Sequence, residues 1–339
     1  MFKALDFIAI GDITTDAFIR IKDASVHCKV DTSQCELCMR FGDKVPFESV
    51  HIVKAVGNSP NAAVAAARLG LGSALVANLG DDQNGRDCIA ELKLPKNSVD
   101  TRYLTAQKGK VTNFHYVLWY EADRTILIHH EEYQYVFPEI RTAPKWIYLS
   151  SLGSTSFQYH LDLLTYLQSN PDVKLAFQPG TFQMKLGTEQ LRGIYERSDV
   201  LILNVEEAQR VLSREEKGFM SIEDTKSMMK SLHALGPKIV LVTDGPKGAY
   251  MYDGDHSYFM PIYPDPKPPL ERTGCGDSFA STFVSALSKG HTPLEALIYA
   301  PVNPMSVVQY IGAQAGLLTM AQIEELLKVA PADYKPREI

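Results

Sequence analysis

Short apolar runs alternate with longer stretches of helical spacing along most of this chain. Residues 5–10, 74–78, 146–150, 173–177, 200–203 and 239–243 are apolar nearly throughout, the pattern of strands covered on both faces. Between them, residues 61–69, 86–94, 157–168, 190–197, 206–212 and 222–235 carry helical spacing, and Met228, Met229, Leu232 and Leu235 mark one face for burial. This alternation predicts an α/β fold, a sandwich around a doubly wound parallel sheet with right-handed crossovers.

Two regions break the pattern. Residues 18–53 and 101–135 are rich in strand formers and lack helical spacing, and residues 111–132 read as a β-hairpin turning near 121–124. We read both as strands of a small sheet projecting from the main body, with a lid over an active site as its natural use. The core then comprises residues 1–17, 54–100 and 136–339, and the lid residues 18–53 and 101–135.

Composition narrows the function classes. A chain of 339 residues buries a sizeable core without disulfide staples. Its 34 Lys and Arg against 40 Asp and Glu leave a net charge of −6, so no broad basic field invites nucleic acid. No run reaches the ~18 consecutive apolar residues of a membrane span, and the N-terminal run is too short for a signal peptide. With five cysteines and no secretory signal, a reducing, cytoplasmic setting is expected.

Candidate chemistry concentrates in residues 271–279, ERTGCGDSF. Gly274 and Gly276 flank Cys275, and Asp277 opens an apolar-periodic stretch that stops at Gly290. Glycines on both sides let backbone N–H groups converge without Cβ interference, and at a helix N-terminus such donors form an anion site. A carboxylate there repels the anion it helps to hold. It makes sense if Asp277 accepts a proton from a hydroxyl while the N–H groups stabilise a transferring phosphoryl group. Taken alone, the residues equally read as a glycine turn with Asp277 as helix cap. A second segment, residues 56–72, runs from the turn formers Gly57, Asn58, Ser59 and Pro60 into an Ala-rich helix. Asn58 and Asn61 there suit the hydroxyls of a polyol, or simply cap the helix.

Together these segments resemble the paired signatures of the ribokinase-like (pfkB) family of carbohydrate and nucleoside kinases. Gly57, Asn61, Ala63 and residues 68–70, then Gly80, Asp81, Asp82 and Gly85, match the first; TGCGD at 273–277 matches the second. GDITTD at 11–16 looks like the opening strand with its substrate-binding aspartate. NVEE at 204–207 matches the N-x-x-E motif, and VTDGPKGA at 242–249 resembles the nucleotide-site strand and loop. These marks fall in order over essentially the whole chain.

The resemblance implies a ribokinase-like three-layer αβα sandwich with a mostly parallel central sheet and a small β-sheet lid. It further implies ATP-dependent phosphorylation of a hydroxyl on a small sugar or sugar-like acceptor, a job of positioning and charge stabilisation. Asp277 becomes the general base, and Gly274, Cys275 and Gly276 the anion hole. Asp16, Gly57, Asn58 and Asn61 would hold the acceptor's hydroxyls, while Asn204 and Glu207 would organise Mg2+, largely through water. Thr243, Gly245 and Gly248 would line the ATP site. A monovalent-cation requirement stays open, and exposed lid strands offer a homodimer surface.

Departures from the family pattern bear on the acceptor. Val56 replaces a first glycine, Asn58 stands where ribokinases carry a lysine, and Thr14 replaces an asparagine. They put ribose itself in doubt and leave the phosphoryl machinery untouched. Phe114, Tyr116, Trp119 and Tyr120 in the lid keep open a nucleoside kinase, since aromatics stack on bases. Asn303 is a candidate contact to the nucleotide base. A non-catalytic ligand-binding protein on the same scaffold is the rival from another class. Cys28, Cys35 and Cys38, near His27 and His51, read as reduced thiols or as a structural Zn2+ set in the lid. No Walker A pattern occurs, and no G-x-G-x-x-G follows a strand.

Overall fold

The apolar runs come together as strands of one large sheet in the computed structural model, which describes residues 5–28, 35–120, 123–215 and 225–339. Numbered along the chain, its parallel strands are β1 (Phe7–Ile10), β6 (Ser73–Gly80), β7 (Asp100–Gln107), β10 (Trp146–Leu149), β11 (Lys174–Phe177), β12 (Val200–Asn204) and β13 (Ile239–Thr243). Strands β14 (Ala249–Tyr252), β15 (Ser257–Met260) and β16 (Arg337–Glu338) extend it antiparallel beyond β13. Burial on both faces explains the continuous apolar runs. In β1, Phe7 and Ala9 enter one core and Ile8 and Ile10 the other.

Helices cover both faces. The first layer holds α1 (Asn58–Arg68), α2 (Gln83–Lys93), α8 (Cys275–Ser288), α9 (Pro293–Tyr299), α10 (Val302–Val307) and α11 (Met320–Lys328). The second holds α3 (Phe157–Ser169), α4 (Thr181–Gln190), α5 (Arg192–Arg197), α6 (Val205–Glu215) and α7 (Thr225–His233). Residues 222–224, expected to open α7, lie outside the described residues. From β1 the chain steps to β6 and β7 on one side, then returns to place β10 on the other. That reversal puts the ligand crevice beyond the carboxyl ends of the strands around β1 and β10.

The lid is a four-stranded sheet in the order β5 (Phe47–Val56), β2 (Thr14–Ile21), β8 (Asn113–Tyr120), β9 (Asp123–His129). Strands β8 and β9 form the expected hairpin; residues 121–122 of its turn lie outside the described residues. The lid borders differ from expectation at two places. Strand β7 pairs with β6 at the edge of the main sheet, so the second lid segment begins after it, and β2 already belongs to the lid at Thr14.

The cysteine reading is corrected. Strands β3 (Ser25–Cys28) and β4 (Cys35–Cys38) pair with Cys28 directly opposite Cys35, Cα atoms 4.0 Å apart, and the two form a disulfide. Cross-strand partners hold their Cβ atoms within bridging distance. Cys38, opposite Ser25, is left as a single thiol. The three sulfurs therefore compose no tetrahedral Zn2+ set, and among the described residues no cluster of three His, Cys, Asp or Glu could hold a metal. The disulfide also removes the thiol count as an argument for a reducing compartment.

Candidate active site

Asp277 sits in the first turn of α8, almost wholly buried, at the carboxyl ends of the parallel strands. Three amide side chains converge on it. Asn58 Nδ2 donates to Oδ1 at 2.8 Å, Asn61 Nδ2 to Oδ2 at 2.8 Å, and Gln178 Nε2 to Oδ1 at 3.3 Å. An ionised carboxylate only accepts, so it fixes which end of each amide turns inward. Burial pushes the Asp277 carboxyl up from its ordinary value, and the Asn61, Asn58 and Gln178 bonds pull it back. Two of the donors are themselves braced: Gln178 Oε1 accepts the Tyr148 hydroxyl at 2.5 Å, and Asn61 Oδ1 accepts Gln314 Nε2 at 3.0 Å. The Gln314 carbonyl in turn accepts Arg68 Nη1 at 2.6 Å, which explains an arginine at the end of α1.

Sequence reasoning placed Asn58 and Asn61 on the acceptor; here both hold the carboxylate. It missed Gln178, Tyr148 and Gln314. Gln178 carried a signal: a polar residue directly after an apolar strand, FQPG, at the sheet edge where ligands bind.

The glycine loop is built for close approach. Gly274 caps α8 at φ 82, and a Cβ there would run into the Cβ of Ala313. A Cβ on Gly276 would meet nothing within 4 Å. Among the described residues, no acceptor takes the N–H groups of Gly274, Gly276 and Asp277, as the first turn of a helix dictates. Cys275 differs from expectation: its N–H turns back to the Arg272 carbonyl at 3.4 Å. Its thiol is pushed up to about 12, first by burial and then by Glu271, so it stays protonated.

Gly57 caps α1 at φ 118, where a Cβ would approach the Asp12 carbonyl to 2.9 Å. Its tight turn aims Asn58 and Asn61 at Asp277. Asp12 accepts the Tyr135 hydroxyl at 2.8 and 2.9 Å, and burial raises its carboxyl to about 7. Asp16 lies in β2 directly opposite His115 of β8. His115 Nδ1 is 3.2 Å from Asp16 Oδ1, yet Oδ1 has no directed hydrogen bond; closeness without alignment leaves it unsatisfied.

On the far side, Asn204 ends β12 beside Thr243 at the end of β13. Asn204 and Glu207 cap each other across the start of α6: Asn204 N–H donates to Glu207 Oε2 at 2.9 Å, and Glu207 N–H to Asn204 Oδ1 at 2.8 Å. Glu207 is raised by burial foremost, with Asp277 adding to it. Gly245 opens a short 3-10 turn after β13, and Gly248 at φ 114 closes it. Asn303 is no base contact: wholly buried, it donates to Thr282 and accepts from the Leu318 N–H.

The aromatic expectation is also corrected. Alternation along β8 puts Asn113, His115, Val117 and Trp119 on the face of Asp16, and Phe114, Tyr116 and Tyr120 on the opposite one. Tyr116 is exposed there, its ring tilted against that of Phe114, while Trp119 is buried beneath the Arg20 guanidinium. No free aromatic platform faces Asp277 from this strand.

A family model described as pfkB family carbohydrate kinase matches residues 34–320. The 5-dehydro-2-deoxygluconokinase of Geobacillus thermodenitrificans is 27% identical over 353 residues, 96% of this chain and 94% of that protein. Ribokinase of Bacillus subtilis is 24% identical over 282 residues, 80% of this chain and 87% of its own. Among solved structures, Arabidopsis thaliana ribokinase complexed with ribose and ATP superposes with a TM-score of 0.77 at 20% identity, covering 96% and 99% of the two chains. A nucleoside kinase of Methanocaldococcus jannaschii gives 0.75 at 17% identity, covering 97% and 100%. These superpositions establish the three-layer fold with its lid.

Proposed function

The chain belongs to the pfkB family of carbohydrate kinases, and from that premise we propose that it transfers the γ-phosphoryl group of ATP to a hydroxyl of a small, non-aromatic sugar, with Asp277 as base. The observation that carries this reading is the Asp277 carboxylate, buried and gripped by Asn58, Asn61 and Gln178 beside open backbone N–H groups. A structural cap has no need of three side-chain donors, two of them braced in turn. In the reaction Asp277 takes the acceptor's hydroxyl proton, and its raised carboxyl eases that uptake. The Gly274, Gly276 and Asp277 N–H groups stabilise charge on the migrating phosphoryl oxygens. Asn58 and Asn61 keep the carboxylate aimed, with Asp16 holding hydroxyls at the acceptor's other end.

Thr243, Gly245 and Gly248 border the nucleotide. Glu207 fits the role of organising Mg2+: its part-buried carboxylate already feels the Asp277 charge, and a dication near Asn204 and Glu207 would relieve that repulsion. When bound, Mg2+ neutralises phosphate charge.

A sugar is favoured over a nucleoside because Phe114 and Tyr116 face away from Asp277. Exposed Val50, Ile52, Tyr116 and Leu127, on the lid face opposite Asp16, suit a homodimer. No helix among the described residues is long and apolar enough to cross a membrane, and an ATP-consuming step on a free sugar belongs in the cytoplasm. The test is ADP release over a panel of sugars and nucleosides. Turnover confined to sugars supports the reading, a nucleoside as best acceptor reverses the acceptor class, and no turnover with any acceptor overturns it.

A further inference from the structure

The lid carries a polar wall that neither the base nor the anion loop accounts for. Asp16 on β2 and His115 on β8 are register partners, and His130 follows β9 in phase with Ile128, the register partner of His115. All three therefore share the face turned to the core. The His115 and His130 rings lie 5.1 Å apart, and His130 meets the edge of Phe182 at 5.6 Å. Phe182 stands in the first turn of α4, just after the Gln178 that touches Asp277. The wall thus spans from the lid aspartate to the segment that holds the base. Along it, Asp16 Oδ1, His115 Nε2 and His130 Nδ1 are buried and have no hydrogen-bond partner. Leaving one such group unsatisfied costs ~1–3 kcal/mol, so a wall holding several in a row is built for something that bonds to them.

We propose that His115 and His130 are specificity-determining residues that, with Asp16, bind adjacent hydroxyls of a polyhydroxylated sugar at the end remote from the hydroxyl phosphorylated. This rests on the kinase reading above and names its acceptor end. Burial foremost, then His115 and His129, hold the His130 imidazole down to about 4, so it is neutral near pH 7. A neutral imidazole both donates and accepts, which matches a hydroxyl, and it brings no charge to favour an anion. The guanidiniums nearest along this face are turned elsewhere, Arg20 to Glu48 at 3.2 Å and Arg124 towards Glu271 at 3.8 Å.

The experiment pairs side-chain variants with deoxy analogues of the best sugar acceptor. His115→Phe and His130→Phe keep ring volume and lose the nitrogens. Each should raise the acceptor KM at least tenfold with kcat within threefold and the ATP KM unchanged. Each should also abolish discrimination against one particular deoxy analogue. His115→Gln and His130→Asn, which return a polar atom near Nε2 and Nδ1, should restore part of that discrimination, and they answer the question should a Phe variant fail to fold. Unchanged KM, or a rise equal for the parent sugar and every deoxy analogue, overturns the assignment while leaving the kinase reading intact. Wild-type protein that phosphorylates no sugar overturns both.

Discussion

Replacing Asp277 by asparagine should move activity and stability in opposite directions. The variant has no base, and positioned general bases contribute typically ~10²–10⁴ in rate, so kcat should fall by about that factor while ATP still binds. Stability follows from the same carboxyl. Burial raises it above 3.8, so the native state holds the proton more tightly than the unfolded chain does. Ionisation therefore costs native stability once pH exceeds the folded value, and the cost disappears below the unfolded carboxylate range. Asparagine removes the charge and keeps the shape. Its oxygen can accept from Asn61, whose amide is fixed by Gln314, while Asn58 and Gln178 turn their amides to meet the new NH2 group, the Tyr148 hydroxyl rotating to accept from Gln178. Removal of a functional strain of this kind yields ~0.5–2 kcal/mol, a few degrees in Tm for a chain of this size. The assay is kcat by ADP release alongside Tm from acid to alkaline pH. The Tm difference from wild type should be near zero at the acid end and positive at the alkaline end. Turnover retained within tenfold, about 1.4 kcal/mol, or an alkaline Tm below wild type, would refute the argument.

Asn61→Leu deletes the donor to Asp277 Oδ2 and should shift the acid limb of the kcat/KM profile to higher pH. The loss should be roughly 10–100-fold on the acid side, from a charged hydrogen bond of ~1.5–3 kcal/mol; an equal loss at every pH would show a positioning role only. Gly274→Ala forces a Cβ into Ala313 at φ 82 and should lower both Tm and kcat. Gly276→Ala meets open space, so its unfolding free energy should stay within ~0.5 kcal/mol of wild type while kcat drops at least tenfold; full activity would place the phosphoryl elsewhere. Thiol titration of denatured, unreduced protein should find three reactive groups, Cys38, Cys88 and Cys275, and all five after reduction. Five before reduction would remove the Cys28–Cys35 bond.

Legibility followed burial. Strand β1 could be read because all four of its residues are buried, whereas β7, DTRYLTAQ, is part-exposed at the sheet edge and looks like a lid strand. Helix α4 carries no apolar stripe and is kinked at Gly187, so nothing periodic announces it. The site residues themselves stood out, because glycines before a helix and an aspartate inside it form a local pattern. Their pairing did not: Asn58 and Asn61 lie 219 and 216 positions from Asp277, and no local rule joins them to it. The Cys28–Cys35 bond was hidden for the same reason, since it depends on which residues face each other across β3 and β4. His115 and His130 fall within the segment read as lid, residues 101–135, but their meaning needs the strand register that sets both on the face of Asp16.

The layout separates two tasks. Asp277 and its donors belong to α1, α8 and the segment after β11, and are tied down by Arg68, Gln314 and Tyr148 inside the packed core. Asp16, His115 and His130 ride on the lid, joined to the core beside the base through the ring edge of Phe182. A substitution in the wall should therefore change which hydroxyls are recognised with little effect on the carboxylate, because the Asp277 network meets the lid at the foot of β5, where Gln314 Nε2 also donates to the Ala55 carbonyl at 2.8 Å, and not at the wall. The reverse does not hold. A lid that fails to reach Phe182 leaves the acceptor's far end in water, and the reacting hydroxyl then loses the orientation that makes a positioned base effective. The proposed acceptor wall and the base are thus linked through contacts between lid and core that include Phe182 against His130 and Arg124 towards Glu271.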